Sequence, residues 1–218
     1  MNIKSLAIYG STARGERSSN SDVDCFAIYD ESYYKMVVKG SVNIAFYPVS
    51  LAKKIMKEGS IFALHINKEA VPYFNEQLFS EVISLFQYKA HYNYEIDTAS
   101  KLLQFILKHE KKIKNKSLMN KRISWCVRTI LISMSAMKRE PIFSKDKLSQ
   151  VFSNNLILEK ELMQLIALKS SHVSEKKDLE LVSKFLNAYS QEILSENNDK
   201  FLTKSMSRLI SGSSVIGY

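Results

Sequence analysis

The chain has 218 residues, 45% hydrophobic and 24% charged, with three prolines and six glycines. That is enough for one large domain or two small ones with a packed core, and it excludes a collagen-like or largely disordered chain. Two cysteines, Cys25 and Cys126, exclude a disulfide framework and a cysteine-rich zinc site, while a formal net charge of +9 points to an anionic partner.

The first segment, Met1–Tyr9, has too short an apolar run for a signal peptide, and a polar glycine turn follows it at once. No stretch approaches the roughly 18 apolar residues of a membrane span. The expectation is a cytoplasmic protein with no membrane association. Lys4–Tyr9, Asp22–Tyr29 and Ser41–Tyr47 read as short strands, the last stopped by Pro48. Ala13–Asn20 is expected to form a short helix behind the glycine turn. Val49–Glu58 is a second helix, with Leu51, Ile55 and Met56 on one face and Gly59 as its stop.

From about Phe86 the period changes. Tyr92, Ile96, Ala99, Leu103, Ile106 and Leu107 recur at three- and four-residue steps, as on one face of a long helix. A second helix is expected over 118–137, with Ile123, Val127, Ile130, Leu131 and Met134 inward, and Pro141 closing the region. Amphipathic stretches follow at 145–152, 158–168 and 177–194. The organisation that results is α+β: a small α/β domain over 1–88, a helical domain over 89–200 and a flexible tail over 201–218.

Charge follows the same division. Residues 1–85 carry nine basic and nine acidic side chains, whereas 86–218 carry 22 basic against 13 acidic. The basic half suits RNA, DNA or a phosphorylated substrate, against the plainer reading of a solvated, lysine-rich helical surface. Its densest run is Lys108, Lys111, Lys112, Lys114 and Lys116, with Lys121 and Arg122. Trp125, Tyr88, Tyr92 and Tyr94 can stack on bases, although at helical spacing such rings more often pack a core.

Residues 10–24 read Gly-Ser-Thr-Ala-Arg-Gly-Glu-Arg-Ser-Ser-Asn-Ser-Asp-Val-Asp. Gly10 lets a phosphate approach the backbone, and Ser11 adds a hydroxyl donor. Residues i and i+2 of a strand point the same way, so Asp22 and Asp24 put two carboxylates on one face. Such a pair repels itself unless a cation neutralises it, and hard oxygen ligands suit Mg²⁺ carrying nucleotide phosphates. Arg14 reaches either a phosphate or a surface carboxylate. P-loop and dinucleotide fingerprints are absent.

Gly10-Ser11 followed by Asp22-x-Asp24 resembles the signature of the polymerase β-type nucleotidyltransferase superfamily. Gly-Ser-Thr-Ala-Arg-Gly and Ser-Asp-Val-Asp are similar to the minimal nucleotidyltransferases and the aminoglycoside adenylyltransferases, with weaker similarity through Gly59–Ile66 to about Phe74. The resemblance implies a mixed-sheet catalytic domain followed by an all-α helical bundle on the acceptor side. It also implies transfer of a nucleoside monophosphate from a nucleoside triphosphate (ATP or another) to an acceptor hydroxyl. By that likeness Asp22 and Asp24 hold Mg²⁺, or Mn²⁺ in its place, and Gly10, Ser11 and Arg14 bind the triphosphate. The acceptor is a small molecule, RNA or a protein, met by the basic helical half, and homo-oligomerisation is left open.

One position departs from the family. Its third acidic residue belongs on the strand after Asp-x-Asp, where this sequence has Asn43. An amide oxygen can ligate a metal as a weak third position, but it brings no charge and cannot act as a base near neutral pH. Glu58, Glu69, Glu95 and His65 are candidates for the missing charge. The rival expectation is therefore a nucleotide- or RNA-binding regulatory, antitoxin-like protein. The Arg-x₄₋₆-His motif of the helical ribonucleases that accompany minimal nucleotidyltransferases follows neither Arg122 nor Arg128.

Overall fold

The computed structural model describes residues 2–17, 22–189 and 200–212. The chain forms two compact units, Met1–Ala90 and His91–Tyr218.

The first unit is a five-stranded mixed sheet covered by helices. Its strands are β1 (Ile3–Tyr9), β2 (Val23–Tyr29), β3 (Lys35–Lys39), β4 (Val42–Pro48) and β5 (Val71–Phe74), in the order β3-β4-β2-β1-β5. β2 runs parallel to β4, and the other pairs are antiparallel. The central strand β2, Val-Asp-Cys-Phe-Ala-Ile-Tyr, is buried on both faces from Cys25 onward, hence its near-continuous apolar run. Its residues sort by parity. Phe26 and Ile28 join Ala7, Ala52, Met56, Ala63 and Ile66 in the larger core, whereas Ala27 and Tyr29 meet Phe46 on the opposite face.

The larger core is roofed by α1 (Val49–Glu58), α2 (Ile61–Glu69) and α3 (Glu76–Ile83). Gly59 ends α1 in the left-handed conformation at φ 61°, and its N–H donates to the carbonyls of Ile55 and Met56. Ser60 then caps α2, its hydroxyl accepting from the Ala63 N–H at 3.1 Å. One connection differs from the sequence expectation. Residues 11–15 form a turn instead of the start of a helix over 13–20, and 18–20 lie outside the described residues. The Arg14 N–H donates to the Gly10 carbonyl at 3.1 Å as in a helix, but Gly15 at φ 71° breaks the run.

The second unit is all helical: α4 (Asn93–His109), α5 (Lys116–Met137), α6 (Lys145–Phe152), α7 (Glu159–Ala167), α8 (Lys176–Tyr189) and α9 (Lys200–Ser211). α5 is the central helix. Met119, Ile123, Cys126, Val127, Ile130 and Leu131 are buried, and the Ser124 hydroxyl donates to the Ile166 carbonyl at 2.6 Å. Asn115 caps its start by accepting from the Leu118 N–H at 2.9 Å. The expectation of a flexible tail from 201 is corrected over its first half, because α9 buries Leu202, Ser205 and Leu209 at i, i+3 and i+7. Residues 213–218 lie outside the described residues.

Candidate functional site

Strand parity fixes where the motif residues face. Asp24 shares the face of Phe26 and Ile28, under the helices, and Asn43 shares the face of Tyr47, which packs on that same core. Register then brings the motif together. Asp24 pairs with Tyr9 on β1 and with Asn43 on β4, so the end of β1 and the beginnings of β2 and β4 meet at Asp24.

Side chains confirm the meeting. The Asn43 amide donates to Asp24 Oδ1 at 3.0 Å. A Cβ added at Gly10, which sits at φ 75°, would lie 3.5 Å from Asp24 Oδ2. One carboxylate oxygen thus faces the amide and the other faces the glycine. Asp22 lies just before β2 and is exposed, and the Thr12 hydroxyl donates to its carbonyl at 3.5 Å. Ser11 belongs to the turn itself, and its carbonyl accepts from the Glu16 N–H at 2.9 Å. Gly10, Ser11, Asp24 and Asn43 therefore form one cluster at the ends of the three inner strands, with Asp22 beside its turn.

Arg14 turns to two carboxylates. Its Nε donates to Glu16 Oε2 at 2.7 Å and its Nη1 to Glu69 Oε2. Glu69 also bonds His65 Nε2 at 2.7 Å across one turn of α2, and the Tyr9 ring meets the His65 ring edge-on at 5.3 Å. Glu69 is only 12% exposed, so this network is a built part of the wall beside the turn. Sequence reading named Glu69 and His65 separately but missed their link to Arg14. The i, i+4 spacing of His65 and Glu69 on a helix was the available signal.

Among the described residues, no three His, Cys, Asp and Glu side chains come together closely enough to hold a metal ion. Glu58 forms an exposed pair with Lys54 at 3.7 Å, and Glu95 lies on α4 in the other unit. Cys25, next to Asp24, has its thiol pKa pushed up, first by burial and then by the Asp24 charge. The Tyr47 hydroxyl is also pushed up, mainly by burial.

As a donor set, the Asp22 and Asp24 carboxylates and the Asn43 amide oxygen are hard oxygens of the kind that a divalent cation takes, with room for further oxygen ligands from outside the chain. The set does not supply the carboxylates for two such cations. Compared with known protein families, residues 1–132 match the family described as the nucleotidyltransferase domain, a span that covers the whole first unit and runs into α5. No curated protein matches the chain. No helix among the described residues is long and apolar enough to cross a membrane.

Proposed function

We propose, from the premise that this chain belongs to the nucleotidyltransferase domain family, that it transfers a nucleoside monophosphate from a nucleoside triphosphate to an acceptor hydroxyl and releases pyrophosphate. The observation that carries the reading is the junction of Gly10 with Asp24, which sets a bare stretch of backbone against a carboxylate at the ends of the inner strands. Asp22 and Asp24 would hold Mg²⁺ or Mn²⁺, with the Asn43 amide oxygen as a neutral third ligand after the amide turns over. Bound there, the cation supplies positive charge that offsets the charge of the triphosphate during displacement at the α-phosphorus.

The residues of the chain do the rest. Gly10 carries no side chain, so phosphate oxygens approach the amides of the 10–15 turn. Ser11 donates its hydroxyl to a phosphate oxygen. Arg14 spends two donors on Glu16 and Glu69 and keeps Nη2 for a phosphate oxygen, held in direction by those carboxylates. The acceptor oxygen bonds to the α-phosphorus as the bridging oxygen to the β-phosphate departs. The acceptor proton passes to a carboxylate or to water, since Asn43 accepts none near neutral pH. The acceptor is a small molecule or RNA.

One observation favours a second reading, nucleotide binding without transfer. The Asn43 amide already satisfies Asp24 Oδ1, so the site holds together with no second charge to neutralise. The experiment that separates the two incubates the protein with each α-labelled ribonucleoside triphosphate, Mg²⁺ or Mn²⁺, total RNA and cell lysate. Transfer is expected in the wild type, to be lost in Asp24→Ala and to rise in Asn43→Asp. Tight triphosphate binding with transfer seen only in Asn43→Asp would replace the enzyme reading with the binding one. Transfer that survives Asp24→Ala would remove this site from the reaction.

A further inference from the structure

The helical unit carries a feature of its own. α5 and α9 contain no aspartate or glutamate, yet between them they carry seven lysines and arginines. A solvated lysine-rich helix ordinarily intersperses acids that pair with its cations. These two helices do not.

α9 packs on α4, and two contacts tie it to α5 as well. The Phe201 ring, near the start of α9, meets the Trp125 ring at 5.6 Å, three turns into α5. At the other end, the Asn115 side chain at the N-cap of α5 donates to the Gly212 carbonyl at 3.4 Å, just past the end of α9. The two helices therefore run antiparallel along roughly 15 Å. Between those two end contacts, Lys204 and Arg208 come level along the axis with the stretch of α5 that carries Lys121 and Arg122. Among the described residues none of these four pairs with a carboxylate, whereas Lys101, Lys116, Lys177 and Lys184 all do.

Aromatic rings flank the cations. Phe201, Lys204 and Arg208 share one stripe of α9 at i, i+3 and i+7, and Lys121 and Arg122 lie one turn before Trp125 on α5. Phe201 is 40% exposed and Trp125 half-buried, so both rings offer an accessible edge. Cations spaced along a seam, with flat rings at one end, match the repeat of a single strand, whose phosphates alternate with unstacked bases. An acidic protein segment would use the cations and leave the rings idle.

We infer that the α5–α9 seam binds single-stranded nucleic acid, with phosphates on Lys121, Arg122, Lys204 and Arg208 and a base stacked on the Trp125–Phe201 pair. This rests on the helical unit alone and is read without turnover, so it stands or falls separately from nucleotidyl transfer.

Trp125 is the only tryptophan in the chain and reports directly on the seam. The test titrates the full-length protein with mixed-sequence 12-nucleotide RNA and DNA single strands, a DNA duplex of the same length and poly-glutamate. It follows Trp125 emission and the anisotropy of labelled strands across roughly 50–200 mM salt. Single strands are expected to bind with quenched Trp125 emission, ahead of duplex and poly-glutamate. Four phosphate contacts give a log–log salt slope of about −3, which Lys204→Glu with Arg208→Glu reduces by about 1.4. That pair is expected to lower affinity on the order of tenfold, whereas the charge-matched control Lys176→Glu with Lys177→Glu leaves it within about twofold. Circular dichroism establishes that each variant is folded, and Phe201→Ala tests the stacking arm without a change of charge. The inference is overturned if no strand binds. It is equally overturned if strands bind without a change in Trp125 emission, if the control pair weakens binding as much, or if duplex or poly-glutamate binds as tightly.

Discussion

At Gly10 the backbone sits at φ 75°, where an added Cβ would meet only Asp24 Oδ2, at an ordinary 3.5 Å. Gly10→Ala therefore costs chiefly the left-handed conformation, about 1–2 kcal/mol of stability by thermal or urea unfolding. Gly59 differs in kind. A Cβ there would lie 2.0 Å from the Gln87 carbonyl oxygen, a backbone atom with nowhere to go. Gly59→Ala is expected to destabilise the first unit by more than about 2 kcal/mol, and unfolding no easier than that of Gly10→Ala would contradict the packing described. Asn43→Asp tests the neighbouring contact. It replaces an N–H donor 3.0 Å from Asp24 Oδ1 with a second negative charge, so the variant should melt below wild type in chelator. Added Mg²⁺ should raise its melting temperature more than it raises that of the wild type. Equal Mg²⁺ responses in the two proteins would mean that Asp24 and Asn43 do not share a cation site.

α2 links the sheet to the wall of the site, carrying Phe62 and Ile66 toward the core and His65 and Glu69 toward Arg14. Its one side-chain cap is the Ser60 hydroxyl, so Ser60→Ala is expected to cost about 1 kcal/mol in the unfolding of the first unit. How much could be read beforehand also divides by element. α1 and α6 were legible to the residue, and β2, α4 and α5 within a few, because each is long or bounded by a clear stop. β3 and β5 were not. Lys-Met-Val-Val-Lys is a five-residue edge strand that buries none of its side chains, and Val-Pro-Tyr-Phe is shorter still and interrupted by Pro72. α9 was hidden by its polar neighbours, although Leu202, Ser205 and Leu209 already carried the helical period. At the site, Gly10 and Asp24 were legible from spacing and strand parity, and Asn43 only through the family resemblance, as the position of its third acid. The Arg14–Glu69 pair spans 55 residues and two elements, and no local pattern announces it.

Each unit holds one cysteine, Cys25 in the first and Cys126 in the second, and both are free and buried. Burial pushes both thiol pKa values up, so at mildly alkaline pH each stays protonated and slow to react. Native protein should therefore resist a thiol reagent that labels both residues in denaturant. Labelling along a denaturant titration then reports the two units separately. On the two-domain reading of the chain, Cys25 and Cys126 become reactive at different midpoints, whereas one shared midpoint would make the chain a single cooperative body.

Gly10, Ser11, Asp22 and Asp24 are together expected to form a site for a cation-bound triphosphate. Calorimetric titration of the wild type and of Asp24→Ala with each ribonucleoside triphosphate, in Mg²⁺ and in chelator, addresses this without any acceptor. The prediction is one triphosphate per chain, bound only with Mg²⁺ and lost in Asp24→Ala. Binding of equal strength in chelator, or undiminished in Asp24→Ala, would contradict it.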